Sequence, residues 1–181
     1  MRDLDAAAET FSRLGFTLTP RGFHSIGSQN HCIMFASTYI ELLAAPQPHP
    51  WLEHYRRFLE RGEGIAALAL ATDDADAAYQ EFLQNGALAK PPMDLARPVK
   101  LGSREEMARF RIVQLGSSGD VSLFACQHLT RELVWRPEWQ QHANGATDIS
   151  AIRWGSSPAL YLRTLKPRDS VEAHGVRLVF D

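Results

Sequence analysis

Residues 2–16, RDLDAAAETFSRLGF, and residues 73–87, DDADAAYQEFLQNGA, align without a gap. This internal repeat constrains the fold more than any other feature of the chain. Asp3 meets Asp74, Asp5 meets Asp76, Ala6 and Ala7 meet Ala77 and Ala78, Phe11 meets Phe82, and Gly15 meets Gly86. Each copy reads as an acidic N-cap, an alanine-rich helix, an aromatic anchor and a glycine stop. Strands follow both copies. The first is followed by FTLTPRG, NHCIMFA and TYIELLA, the last two joined by a tight Ala36-Ser37 connection. The second is followed by ARFRIVQLG, a Ser-Ser-Gly-Asp turn and VSLFACQHL, so the chain contains two copies of one helix-plus-hairpin unit.

The segments between and after the copies set the remaining boundaries. PQPHPWLEHYRRFLERGEG carries Trp51, Leu52, Tyr55, Phe58 and Leu59 at helical spacing, which predicts an amphipathic connecting helix. IAALALAT is a continuous small-apolar run and predicts a buried strand. ALAKPPMDLARPVKLGSREE is proline-rich, and predicts an irregular loop that covers a cleft or moves. Beyond the second copy, TDISAIRW opens what reads as a third unit, and LYLRTL and GVRLVFD supply two more strands, with no room for a helix between Gly155 and Leu160. The expected organisation is a first module over 1–46, a linker helix over 47–63, a second module over 64–130 and a C-terminal extension or partial third module over 131–181.

Composition excludes several classes of function. With 45% hydrophobic and 22% charged residues in 20.3 kDa, the chain can bury a core as one large domain or two small ones. A formal net charge of -2 with scattered basic residues leaves no phosphate-binding stripe, so no nucleic-acid partner is expected. No run reaches the eighteen or so apolar residues of a membrane helix. The opening MRDLDAAAE lacks the basic start and apolar run of a signal peptide, so the expected location is the cytoplasm. Cys32 and Cys126 each sit inside an apolar run, as small buried hydrophobes do.

Taken together, RDLDAAAETFSRLGF, the turn HSIGSQN leading into a strand, TYIELLA, and the second pass GIAALALATDDADAAYQEFLQNGA resemble the vicinal oxygen chelate superfamily (glyoxalase, bleomycin resistance and extradiol dioxygenase proteins), and within it the glyoxalase-like domain proteins. The resemblance covers roughly residues 1–130. It implies an α+β fold of paired βαβββ modules curling into a half-open barrel around a ligand cleft. The strand that should precede Arg2 in the first module is not in the sequence. The resemblance further implies a divalent metal with one carboxylate ligand from the last strand of each module, a place that Glu41 matches in YIELLA. Ala67 stands where the second module would carry a ligand, and VSLFACQHL offers Gln127 and His128 but no carboxylate.

The residues themselves define the candidate site. Glu41 alternates with Tyr39 and Leu43, so on a cleft-facing strand it is a carboxylate that must pair, coordinate or act as a base. His24, Asn30 and His31 surround Gly27-Ser28 in a turn that can present donors to a ligand oxygen. His31 shares a face with Ile33 and Phe35, and Asn30 shares one with Cys32 and Met34. Tyr39, Gln127 and His128 complete the expected ligand-binding set. His49, His54 and His174 are expected to be structural or solvent-facing.

Three functions compete. The first is a glyoxalase-like enzyme of lyase, isomerase or dioxygenase type acting on a small oxygen-bearing substrate, with Glu41 as base or metal ligand. The second is a metal-free protein that sequesters a small molecule in the same cleft, as the resemblance to resistance proteins implies. The third is a dimerisation or regulatory module, for which the apolar strand edges and unfinished third unit predict a homodimer.

Overall fold

The computed structural model describes residues 1–181. The elements are α1 (Leu4–Arg13), β1 (Gly22–Phe23), β2 (Gln29–Met34), β3 (Tyr39–Ala44), α2 (Glu53–Arg61), β4 (Ala67–Ala71), α3 (Ala75–Gln84), β5 (Met93–Leu101), β6 (Arg104–Ser118), β7 (Val121–His128), β8 (Ala146–Arg153), β9 (Ala159–Thr164), β10 (Arg168–Ala173) and β11 (Val176–Phe180). The fold is α+β, with three small sheets ordered β1-β2-β3, β4-β7-β6-β5 and β10-β11-β9-β8. The chain gathers into two compact units, one of residues 1–65 with 135–181 and the other of residues 66–134.

The repeated helix devices form as their residues dictate. Asp3 accepts the backbone N–H of Ala6 at 2.9 Å, and Asp74 accepts that of Ala77 at the same 2.9 Å, each satisfying an otherwise orphaned first-turn donor. Gly15 and Gly86 follow the two helices at φ +86° and +76°, a left-handed conformation that glycine alone adopts without strain.

In the second unit β4, α3, β5, β6 and β7 make one complete βαβββ module. β4 runs parallel to β7, while β5 and β7 flank β6 antiparallel. The core beneath α3 is small, with Ala75 against Val113 and Ala125. Two expectations fail here. The proline-rich stretch predicted as a loop is largely the β5–β6 hairpin, paired from Met93↔Ile112 to Leu101↔Arg104. Proline is tolerated because β5 is an edge strand, where a missing N–H breaks no ladder. The apolar run predicted as a buried strand is the opposite edge, β4, with Leu70 47% exposed. A run of small apolar residues does not by itself distinguish a covered strand from an edge.

In the first unit α1 precedes the antiparallel sheet β1-β2-β3, as α3 precedes β5-β6-β7. The terminal ammonium of Met1 donates to the carbonyl of Leu43 on β3. The C-terminal strands form a sheet in which β11 runs parallel to β9, with a strand, β10, that the sequence pattern missed. This sheet has no helix of its own. Its Ala146, Leu160, Leu162, Leu178 and Phe180 share one buried core with Leu4, Ala7 and Phe11 of α1 and with Ile33, Phe35 and Leu42 of β2–β3. One amphipathic helix therefore serves two sheets. Asn144 ties them locally by donating from Nδ2 to the carbonyl of Leu14 at 3.0 Å.

Candidate functional site

The register of β2 and β3 decides which face carries chemistry. Asn30 lies opposite Leu43, Cys32 opposite Glu41, and Met34 opposite Tyr39. These six residues share one face, and His31, Ile33, Ile40 and Leu42 share the other. Because Ile33, Ile40 and Leu42 pack into the α1 core, Glu41 stands on the face turned away from it.

Glu41 is held there by Asn30, whose Nδ2 donates to Oε1 at 2.6 Å. A carboxylate only accepts, so this contact fixes the amide orientation and turns Asn30 Oδ1 away from Glu41. Asn30 is 2% exposed, and its Oδ1 is buried with no hydrogen-bond partner. An unsatisfied buried acceptor costs about 1–3 kcal/mol. The same atom is a ready acceptor for a ligand donor.

His24 and Tyr55 extend the group. The turn before β2 closes through His24 N–H to Ser28 O and Gly27 N–H to His24 O, both at 2.9 Å. It sets His24 Nδ1 2.9 Å from Ser28 Oγ and leaves Nε2 3.9 Å from Glu41 Oε1. Tyr55 of α2 has its phenol pKa raised, first by burial and then by the negative charge of Glu41, so the hydroxyl remains a proton donor. Tyr39 meets Trp135 edge-on at 5.5 Å. Sequence periodicity registers Tyr55 only as part of an apolar stripe, and nothing local points it towards Glu41.

The other expected ligand residues are placed differently. His31 is on the core-facing side of β2 and is hydrogen-bonded through Nδ1 to the Thr19 carbonyl at 2.8 Å, so it does not join Glu41. Gln127 accepts from Ala75 N–H at 3.1 Å and donates to Asp73 O at 2.6 Å. Both ends of its amide thus serve the start of α3. His128, in the second unit, stands edge-on to Phe110 at 5.0 Å, with its pKa lowered to about 4 by burial and by the charges of Arg131 and Arg97. His142 is structural: Nδ1 accepts from Thr17 N–H at 3.0 Å, Nε2 donates to Met34 O at 2.9 Å, and the ring packs against Phe16 and Phe35.

A resident divalent metal, which the resemblance implies, would need more ligands than the site offers. Glu41 and His24 bring one carboxylate and one imidazole, and no group of three His, Cys, Asp or Glu side chains is placed to hold an ion. Three or four protein ligands are the usual requirement, so these residues do not fit a resident divalent metal.

A sequence profile of the glyoxalase-like domain matches residues 1–166. No curated protein matches significantly. Among solved structures, a hypothetical protein from Staphylococcus aureus superposes with a TM-score of 0.68 at 12% identity, covering 92% of this chain and 90% of that one. At that identity it supports the fold alone. The repeated modules and the profile match together place the chain: it belongs to the glyoxalase-like domain family of the vicinal oxygen chelate superfamily.

Proposed function

We propose that this protein is a glyoxalase-like small-molecule enzyme of lyase or isomerase type in which Glu41 is the general base. The observation that carries the reading is the Asn30–Glu41 pair. A carboxylate is fixed at 2.6 Å by an amide whose own oxygen is buried and unsatisfied, so base and ligand-positioning acceptor are adjacent and preorganised. In this scheme the substrate donates a hydroxyl or N–H hydrogen bond to Asn30 Oδ1. Glu41 removes a proton from carbon or oxygen, and the Tyr55 hydroxyl or His24 supplies a hydrogen bond or proton to the developing oxyanion. No step is assigned to a metal.

A second reading, a metal-free protein that sequesters a small molecule, is favoured by Ala67, which leaves the second module without a ligand at that place. Solvent deuterium exchange into dihydroxyacetone, an enolisable hydroxyketone, separates the two. Catalysed exchange that falls by 10²-fold or more in Glu41→Gln, about the size of a general-base contribution, supports the enzyme. Binding of the ketone without exchange refutes the base and leaves the sequestering protein.

A further inference from the structure

The second unit carries an electrostatic problem that the Glu41 site does not explain. Arg97, on β5, is 5% exposed. It enters no ion pair and no side-chain hydrogen bond, and its guanidinium carbon stands 6.0 Å from the centroid of Phe110. None of its side-chain nitrogens is a buried atom without a partner, so the guanidinium keeps a narrow opening to solvent at the end of a buried stem, and a single aromatic face at that distance returns only a fraction of the hydration it has lost.

The surrounding residues supply no counter-charge. Arg97 lies opposite Ala108 on β6, and Phe110 lies between Leu95 and His128 in the next rung. All five share one face of the sheet. Glu106, on the same face opposite Val99, makes no ion pair with Arg97. Asp94 alternates to the other face, 3.9 Å from Arg111. The charges of Arg97 and Arg131 both act on His128, so positive potential converges on the ring that flanks Phe110.

We propose that Arg97, Phe110 and His128 form a binding site for an organic carboxylate, with the guanidinium pairing to the carboxylate and the ligand's planar or apolar part lying against Phe110. The guanidinium fork matches a carboxylate in geometry. One cation with a buried stem, a narrowly open head and no carboxylate partner suits a monoanion, and Leu95 and Phe110 suit a carbon skeleton. The site goes beyond the proposed role of Glu41 and does not depend on it.

Benzoate is the probe and uncharged benzamide its control, measured by thermal unfolding and titration calorimetry on the full chain. At about ten times its Kd, benzoate should raise the Tm by about 3–6 °C, and benzamide should not. Arg97→Met retains the volume and removes the charge. It should raise the Tm of the ligand-free protein and weaken benzoate binding at least tenfold, while Arg97→Lys retains part of the binding. Inorganic phosphate binding in place of benzoate would overturn the carboxylate assignment. A destabilised Arg97→Met, or an unchanged response to benzoate, would show a structural arginine and sink the site, as would a wild-type protein indifferent to benzoate.

Discussion

The two copies of the repeated helix begin alike and end in different roles. α1 and α3 have matching aspartate caps and matching glycine stops. Yet α1 buries Leu4, Ala7 and Phe11, whereas α3 buries Ala75 alone. The difference comes from what each helix covers. α1 serves the β1–β3 sheet and the C-terminal sheet together, and α3 packs on one sheet through a core of a few residues. A shared local signature therefore specifies a shared element but not a shared contribution to stability. The sheets diverge chemically as well. The first unit presents an acid beside an acceptor that lacks a donor, and the second presents a cation that lacks an anion.

Matched substitutions put this contrast to the test. The largest effect is expected at the aromatic anchors. Phe11→Ala, at a side chain 3% exposed, should cost about 3–5 kcal/mol. Phe82→Ala, at a half-buried one, should cost about 1–2 kcal/mol. Equal losses in denaturant titrations would mean that the two helices contribute equally after all.

The glycine stops should separate by less. A Cβ at Gly15 would meet the backbone nitrogen of Asn144 at 3.0 Å, whereas one at Gly86 meets nothing within 4 Å. Gly86→Ala pays only for its left-handed conformation, about 1 kcal/mol. Gly15→Ala should cost roughly 2–3 kcal/mol, since Asn144 must also shift. A Gly86→Ala variant as damaged as its counterpart would remove the packing argument.

The shallowest effect is the response to acid, and it should occur in both units. Burial lowers the pKa of His142 in the first unit and of His128 in the second. Below the ordinary histidine pKa of about 6.5 the unfolded chain binds protons that the native histidines refuse, so stability is full above that pH and is lost as pH falls. For His128 the loss continues down to about pH 4, where the native ring also protonates. Urea midpoints should therefore fall between pH 7 and 5, and His128→Leu should flatten part of the slope. A midpoint that rises on acidification would contradict both assignments.

Much of this was legible in the sequence because it depends on local pattern. The caps at Asp3 and Asp74 follow from residue type and spacing, and strand alternation separates Asn30 from His31, but which of the two shares a face with Glu41 is set by the β2–β3 register. What escaped depends on distance along the chain. Gln127 reads as a polar residue at a strand end, but its partners Asp73 and Ala75 precede it by some fifty positions. Arg97 was hidden among prolines that signal a loop, because nothing local says that β5 would be an edge strand. Tyr55 was indistinguishable from its apolar neighbours until the position of Glu41 was known.

The interrupted path of the chain also has a consequence for synthesis. The first unit is made of residues 1–65 and 135–181, whereas the second is one continuous stretch, 66–134. On a ribosome the second unit is complete before the last strands of the first have been made. Until then Phe11 and its neighbours on α1 have only the β1–β3 sheet to pack against. The continuous unit can fold while its larger companion waits, and truncation or slow translation near the C-terminus would strand the earliest-made helix with apolar surface exposed.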